Sequence, residues 1–268
     1  MIPGAFEYVR ASSAEEAASL LSQHGEDAKL IAGGQSLVPL MRLRLSQPSV
    51  LVDIGRMRDC SHIRRDNGTL VVGALARHVD IHGSDEVRAA LPLLADMAYE
   101  VGDSQVRNLG TMGGVVAHGD PAGDYNALAL MLDAQIVTTR GTHRAAGFYR
   151  DLFTTALQPD EVVVEVRFPV ATGAHAYQKF RRRLYDWALA GVAVQRVDGD
   201  VRVGFVNLAP TPRRGAAVER ALAGGASSAD AAAQVAQDIA PTSDVRGSAA
   251  YKTHLTEVLT ARALQAVA

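Results

Sequence analysis

Two segments with paired glycines constrain this chain more than any other feature of its sequence. Each sets two glycines beside a hydroxyl residue: Leu30-Ile31-Ala32-Gly33-Gly34-Gln35-Ser36-Leu37 and Arg107-Asn108-Leu109-Gly110-Thr111-Met112-Gly113-Gly114. Because glycine permits positive φ, consecutive N–H groups in such a segment can point into one concavity. A concavity of this kind binds an anionic phosphate without a lysine.

These glycine segments admit two interpretations. Together they could hold the diphosphate of a dinucleotide from two sides, with the hydroxyl groups of Ser36 and Thr111 as additional donors. Alternatively, each is an ordinary tight turn, because glycine pairs are common between secondary-structure elements. Neither segment has the G-x-G-x-x-G spacing of a Rossmann turn or the GK[ST] ending of a P-loop.

Strand-like and helix-like segments occur in both halves of the chain, which predicts an α+β fold. Ser12 or Ser13 with Glu15 and Glu16 forms a capping-box pattern at the start of the first helix. Alternating or apolar runs predict strands, and Asp198-Gly199-Asp200 predicts a hairpin between the last two. The predicted strands are 28–32, 50–54, 69–74, 135–139, 162–168, 189–197 and 201–208. The predicted helices are 12–24, 35–45, 80–97 with a break at Pro92, 125–132 and 216–268 with breaks near 224–225 and 241, and 104–124 is predicted to be loop-rich.

Composition excludes several classes of function. A formal net charge of −2 and 5% aromatic residues give no reason to expect nucleic acid as a partner. Cys60 is the single cysteine, so this chain holds no disulfide, no four-thiolate zinc site and no iron–sulfur cluster of its own. We find no secretory signal and no transmembrane segment, and we expect a cytoplasmic protein.

The histidines suggest a metal site only weakly. His78 and His82 are four residues apart and could bind a metal on one face of a helix. No third ligand is evident nearby, so a surface or capping role is favoured. His118, two residues before Asp120, is the histidine expected nearest to a cofactor, although it could equally be structural.

Taken together, the glycine segments and their surroundings resemble one family, the FAD-binding medium subunit of molybdenum hydroxylases. This family includes the medium subunit of carbon monoxide dehydrogenase and the flavin domain of xanthine dehydrogenase. The resemblance spans nearly the whole chain. It is carried by residues 32–37 and 105–114, the loop Asp120-Pro121-Ala122-Gly123-Asp124, the pair Asp186-Trp187 and the segment 244–252 (DVRGSAAYK).

The resemblance implies a fold and a set of cofactor-binding residues. Residues 1–172 would form a PCMH-type FAD-binding domain with subdomains of about 1–57 and 58–172, and residues 173–268 a smaller α+β domain. FAD would be bound non-covalently. The backbone N–H groups of Gly33, Gly34, Gly113 and Gly114 would hold the diphosphate, and Asp124 would accept hydrogen bonds from sugar hydroxyls. The full implied set is Leu30, Ile31, Ala32, Gly33, Gly34, Gln35, Ser36, Leu37, Val101, Gly110, Thr111, Gly113, Gly114, Val115, Asp124, Val163 and Lys179.

Three positions keep alternatives open. By resemblance Lys179 would lie near the flavin ring, where a cation favours the reduced anionic form, but it could instead belong to a solvated charged strand edge. Tyr185 or Trp187 could cover a flavin face or gate the electron acceptor. For Trp187, the only tryptophan, an anchoring role in the core of the second domain is favoured.

The resemblance also implies partners. A large molybdopterin subunit would oxidise the substrate, and a small subunit would carry two [2Fe–2S] clusters, in a dimer of heterotrimers. The flavoprotein would pass electrons to quinone, NAD or oxygen, and the complex could bring it to a membrane. A self-contained flavin oxidoreductase and a cofactor-free scaffold are the alternatives.

Overall fold

The computed structural model describes residues 2–268, which build three main sheets in succession. The first sheet is parallel, with strand order β1-β3-β2, and Tyr8 and Leu30 lie opposite Leu51 and Val52 of the central strand. Helix α1 covers this sheet and buries Ala17 and Leu21. The elements are β1 (Glu7–Arg10), α1 (Ala14–His24), β2 (Ala28–Ile31), α2 (Leu37–Arg42) and β3 (Val50–Asp53).

The start of α1 confirms the predicted cap at Ser13, whereas Glu16 bonds to the residue before the cap. The Ser13 hydroxyl accepts a hydrogen bond from the N–H of Glu16 at 3.1 Å, and the Glu16 carboxylate accepts one from the N–H of Ser12 at 2.7 Å. These bonds satisfy N–H groups that have no partner within a helix. The helix is thereby fixed above the sheet whose edge strand β2 leads into the first glycine segment.

A five-stranded antiparallel sheet with order β4-β5-β10-β6-β7 follows together with six helices, five of which contribute buried residues to the largest core of the described residues. Fully buried side chains such as Leu94, Met97 and Phe168 fill this core. The elements are β4 (Ile63–Asp66), β5 (Thr69–Gly73), α3 (His78–Gly83), α4 (Asp85–Ala90), α5 (Pro92–Tyr99), α6 (Ser104–Leu109), α7 (Met112–His118), α8 (Asp124–Met131), β6 (Gln135–Thr138), β7 (Gly141–Arg144), β8 (Tyr149–Asp151), β9 (Thr154–Thr155) and β10 (Val163–Pro169).

The prediction of a loop-rich segment at 104–124 is wrong, because α6 and α7 occupy most of it. The Asp103 carboxylate caps α6 by accepting the N–H of Val106 at 2.8 Å. The Thr111 hydroxyl caps α7 by accepting the N–H of Gly114 at 3.2 Å, and Gly119 ends that helix with φ of 63°. Capping groups stabilise both short helices, and α7 is further stabilised, despite its two glycines, by burial of Met112 and Val116.

The last sheet is antiparallel, with order β11-β12-β13-β14, and three helices cover one face of it. Its central hairpin confirms the predicted turn, in which Asp198 and Gly199 have φ of 51° and 91°. No helix within residues 2–268 is long and apolar enough to cross a membrane. The elements are β11 (His175–Phe180), β12 (Ala190–Val197), β13 (Asp200–Val206), β14 (Arg213–Arg214), α9 (Ala216–Ala223), α10 (Ser228–Ala232) and α11 (Ala249–Ala266).

Candidate functional site

The first glycine segment turns the chain from β2 into α2. Gly34 has φ of 70°, a conformation that only glycine adopts without strain. The side chain of Gln35 donates to the carbonyl of Gly33 at 3.1 Å and stiffens the turn. Among residues 2–268, the backbone N–H groups from Gly33 to Leu37 have no hydrogen-bond partner. Several free donors therefore lie close together in the sequence at one turn, as an anion-binding site requires.

The second glycine segment joins α6 to α7 and is held more tightly. The N–H of Met112 donates to the carbonyl of Ala76 at 3.0 Å, and the N–H of Gly113 donates to the carbonyl of Ala74 at 2.8 Å. A methyl group built on Gly113 would lie 2.6 Å from the Ala74 side chain. The expectation that Gly113 offers a free N–H to a diphosphate is therefore wrong. Its missing side chain lets α7 approach β5, and the N–H of Gly114 already contacts the Thr111 hydroxyl.

These two segments, distant in sequence, touch each other in space. A methyl group built on Gly33 would lie 2.6 Å from the carbonyl carbon of Leu109 and 2.9 Å from the Cα of Gly110. No side chain fits at position 33 while both backbones keep this contact. The free N–H groups of the first turn therefore lie next to the second turn, which carries the Thr111 hydroxyl.

His78 and Tyr125 support the second turn from inside the core. The N–H of His78 donates to the carbonyl of Gly110 at 3.2 Å, and the His78 Nδ1 lies 3.1 Å from the Tyr125 hydroxyl. A methyl group on Gly110 would lie 2.6 Å from His78 Nε2. Burial, assisted by the nearby Arg107 charge, lowers the pKa of His78 to about 4. A neutral imidazole therefore fixes the turn.

The expectation that His78 lies at the surface is wrong, because its side chain is buried in the core. His82 contacts the carbonyl of Ala95 at 3.1 Å through Nδ1. Within residues 2–268, no three His, Cys, Asp or Glu side chains are grouped to hold a metal. The histidine pair serves packing and hydrogen bonding.

Beyond the second turn lies a buried ion pair between Asp124 and Lys179. The Lys179 ammonium donates to the Asp124 carboxylate at 2.8 Å and to the carbonyl of Glu100 at 2.9 Å. The Tyr177 hydroxyl donates to the other oxygen of Asp124. Burial first, and then the charge of Asp124, raises the pKa of Tyr177 well above its ordinary value. The side chains of Lys179 and Asp124 are only 3% and 6% exposed, so a solvated strand edge is the wrong description of Lys179.

Close contacts connect this ion pair to the second glycine turn. A methyl group on Gly123, the residue before Asp124, would lie 2.9 Å from the Val115 side chain. Val101 directly follows Glu100, and its carbonyl accepts a hydrogen bond from Arg107 in α6. Contacts between neighbouring residues thus link the two glycine turns with Val101, Asp124 and Lys179. Val163 differs, because it lies in the core of the middle sheet at 6% exposure.

Trp187 does not anchor the core of the last domain, in contrast to the favoured expectation. Its side chain is 62% exposed, with the Arg246 guanidinium 5.6 Å from the ring centroid. Neighbouring Tyr185 is also exposed and has φ of 71°. His118 stacks on Phe153 with ring centroids 5.1 Å apart, and burial lowers the pKa of His118. Two aromatic rings are therefore free to contact a ligand or another protein.

The residues present fit a flavin dinucleotide. The free N–H groups beside Gly33 suit a diphosphate. The Asp124 carboxylate has about four lone-pair sites, of which the donors Tyr177 and Lys179 occupy two. The remaining sites can accept from sugar hydroxyls.

Sequence reasoning missed three residues of this site, namely Tyr177, Glu100 and Leu109. The alternation of His175, Tyr177, Lys179 and Arg181 along one strand was the available signal for Tyr177. Glu100 and Leu109 contribute through backbone carbonyls, which no side-chain pattern reveals.

Comparisons with known proteins agree with this geometry. Residues 4–171 match the family described as "FAD binding domain in molybdopterin dehydrogenase", and residues 175–267 match "CO dehydrogenase flavoprotein C-terminal domain". The chain is 43% identical to the carbon monoxide dehydrogenase medium chain of Hydrogenophaga pseudoflava, over 99% of this chain and 98% of the relative. It is 34% identical to the glyceraldehyde dehydrogenase medium chain of Sulfolobus acidocaldarius, over the full length of both.

Solved structures give the same result. A structure of the H. pseudoflava carbon monoxide dehydrogenase superposes with a TM-score of 0.94 at 42% identity, covering 100% of this chain and 98% of the other. Quinoline 2-oxidoreductase from Pseudomonas putida 86 superposes with a TM-score of 0.92 at 28% identity, with coverage of 100% and 98%. The chain therefore belongs to the family of FAD-binding medium subunits of molybdopterin dehydrogenases, and it is an oxidoreductase component with a two-domain flavoprotein fold.

Proposed function

We propose that this chain is the electron-transfer subunit of a molybdenum-containing hydroxylase and binds one FAD non-covalently. The contact of Gly33 with Leu109 and Gly110 carries the proposal, because it joins the two glycine turns into one ligand surface. When bound, FAD supplies a carrier that accepts single electrons and passes on one or two. The role of this chain is to bind that carrier, orient it and control access to it.

We assign the diphosphate to the first glycine turn. The N–H groups of Gly33 to Leu37 would donate to it, assisted by the exposed Ser36 hydroxyl. At the second turn, Gly110 and Gly113 would permit close approach of the backbones. Their N–H groups donate to protein carbonyls, so they would not bind the ligand directly.

The sugar hydroxyls belong, in this proposal, to Asp124. Its contact with Lys179 holds the carboxylate in one place, while Val101 and Val115 would pack against the cofactor. Because Asp124 compensates its charge, Lys179 would affect the flavin ring less than an isolated cation would. Val163 would act only through the core beneath the site.

We further propose that the catalytic metal centres belong to partner chains. One cysteine cannot ligate a [2Fe–2S] cluster, so the two clusters would lie on a small subunit and the molybdopterin on a large one. A dimer of heterotrimers, in the cytoplasm or attached to a membrane through the complex, would follow. The FAD-binding domain would comprise residues 1–172, with subdomains of about 1–57 and 58–172, and the C-terminal domain residues 173–268.

Carbon monoxide is our first proposal for the substrate of the complex. It rests on 43% identity to a carbon monoxide dehydrogenase medium chain. Relatives at 34% identity belong by name to a glyceraldehyde dehydrogenase and a nicotine 6-hydroxylase, so aldehydes and N-heterocycles come next. We propose quinone, NAD or oxygen as the electron acceptor.

Purification of the chain from its native source tests the proposal. We expect two co-purifying subunits, with molybdenum and iron on them, and about one FAD per medium chain that acid releases intact. Substrate added to the assembly should bleach the flavin absorbance. Steady oxidation of an organic donor by the isolated chain would instead establish a self-contained oxidoreductase. Full activity of an assembly carrying Gly33→Val would indicate a scaffold.

A further inference from the structure

One side of β11 connects the last sheet to the FAD-binding domain through a row of polar side chains. His175 Nε2 lies 3.2 Å from the Asp96 carboxylate, and Arg181, just after the strand, pairs with the Glu100 carboxylate. Tyr177 and Lys179 lie between them and both donate to Asp124. The four residues alternate along the strand and therefore share one face. Both donors on the Asp124 carboxylate thus come from the other domain.

A buried carboxylate depends on such donors. Asp124 is 5% exposed, so its charge must be satisfied by protein groups or by a ligand. Lys179 satisfies one oxygen and also contacts the Glu100 carbonyl, while Tyr177 satisfies the other. Together they determine the rotation of the carboxylate and hence the direction of its unused lone pairs.

The Tyr177 hydroxyl is itself held in place. A methyl group on Gly191, in the neighbouring strand β12, would lie 3.1 Å from the Tyr177 oxygen. The ring also packs on a small cluster formed by Ala127, Ala188 and Val206. The hydroxyl therefore cannot turn away from Asp124 without disturbing both neighbours.

We propose that Tyr177 is a positioning residue of the flavin site, which orients Asp124 toward the hydroxyls of the cofactor's sugar-alcohol chain. The inference rests on the proposed function, since it requires that FAD occupy this site. It makes the C-terminal domain a participant in cofactor binding, through one hydroxyl group that does not touch the cofactor.

Ligand titrations of the purified full-length chain test this role. Tyr177→Phe removes only the hydroxyl, and we expect the Kd for FAD to rise about tenfold, as for the loss of one hydrogen bond to a charged group. The Kd for ADP, which lacks the sugar-alcohol chain, should stay within about twofold of wild type. General loosening of the fold would weaken both ligands together, so equal losses would overturn the proposal, as would an unchanged Kd for FAD.

Two further variants complete the test. Tyr149→Phe is the matched control, because that hydroxyl donates to Asn126 on the same helix at 3.0 Å and not to Asp124; we expect wild-type binding of both ligands. The second variant is Asp124→Asn, made both in the wild type and in Tyr177→Phe. We expect it to weaken FAD binding far less in Tyr177→Phe than in the wild type, because the two residues act as a unit. Additive losses would contradict the proposal. If the wild-type protein binds neither FAD nor ADP, the proposed function itself is refuted. If the wild-type protein binds both ligands and Tyr177→Phe binds them equally well, only the role of Tyr177 is refuted.

Discussion

Gly33 and Leu109 lie in contact through their backbones, with no space between them for a single carbon atom. The 75 residues between them are folded so that the turn after β2 meets the end of α6. This relationship brings the two glycine turns together, and the proposed diphosphate site depends on it.

We therefore expect Gly33→Ala to disturb both turns. The added methyl group would meet backbone atoms of Leu109 and Gly110, which cannot move as a flexible side chain does. Overpacking of this kind costs about 1 to 3 kcal/mol, and we expect FAD affinity to fall by about 100-fold. Thermal unfolding and fluorescence titration with FAD measure the two effects.

Gly83→Ala is the control for this substitution. A methyl group there meets no atom within 4 Å, so stability and FAD affinity should remain those of the wild type. Normal FAD binding by Gly33→Ala would show that the contact between the turns is not needed for the site.

The buried ion pair predicts a double-mutant cycle. Lys179→Met leaves the Asp124 carboxylate buried without its cation, and we expect a loss of about 3 to 5 kcal/mol in the free energy of unfolding. Adding Asp124→Asn should recover a large part of that loss, because the uncompensated charge disappears. Urea unfolding of the two single variants and the double variant measures the coupling.

Lys252 offers a comparison for Lys179. It is also a buried lysine in an ion pair, but its partner Asp244 has a side chain that is 45% exposed. Water can solvate that carboxylate after Lys252→Met, so we expect a smaller loss than for Lys179→Met. Equal losses in the two variants would contradict the account of Asp124 as a buried charge.

Acid should destabilise the fold through His78. Its pKa falls from an ordinary value of 6.5 to about 4 in the folded chain, so the unfolded chain takes up the proton first as pH falls. The contribution of His78 is complete above pH 6.5, is lost between pH 6.5 and about 4, and amounts to about 3 kcal/mol at most. His78→Gln should flatten the dependence of unfolding free energy on pH in this range.

His254→Gln serves as the matched change at an exposed histidine and should leave the pH dependence as in the wild type. An equally steep acid dependence in His78→Gln would show that other groups account for it.

Much of the fold could be predicted from local signals, and the failures have identifiable causes. The capping box before α1 and the Asp198-Gly199 turn act within a few residues and were predicted correctly. The segment 104–124 was not, because its many glycines obscured the caps supplied by Asp103 and Thr111. A helix or turn can be predicted from its local sequence only when the most conspicuous local pattern is the one that forms in the structure.

The two glycine turns of the candidate site could be recognised from the sequence, but the contacts between residues distant in sequence could not. The sequence does not reveal that Gly113 uses its N–H on Ala74, because that bond depends on how α7 docks against β5. In the same way, the basic residues around Lys179 are typical of a solvated strand, and the sequence does not reveal that Lys179 forms a buried ion pair with Asp124. Both expectations failed because the hydrogen bond of Gly113 and the burial of Lys179 depend on tertiary packing.

Trp187 provides an intrinsic probe of the site. It is the only tryptophan and is 62% exposed, so acrylamide should quench its fluorescence efficiently in the absence of FAD. The exposed ring is free to cover a flavin face, and in that case saturating FAD should lower both the emission and the access of acrylamide. ADP should leave acrylamide access unchanged, and identical quenching with and without FAD would place Trp187 outside the site.

A crystal structure of the chain with FAD tests the central claim most directly. We expect the diphosphate beside the N–H groups of Gly33 and Gly34, within reach of the Thr111–Gly114 turn, and the sugar hydroxyls beside Asp124. A groove of about 540 Å³ beside α1, which Arg140 and Asp160 help to line, is an alternative place for a ligand. A diphosphate bound there, or anywhere away from the two glycine turns, would contradict the account.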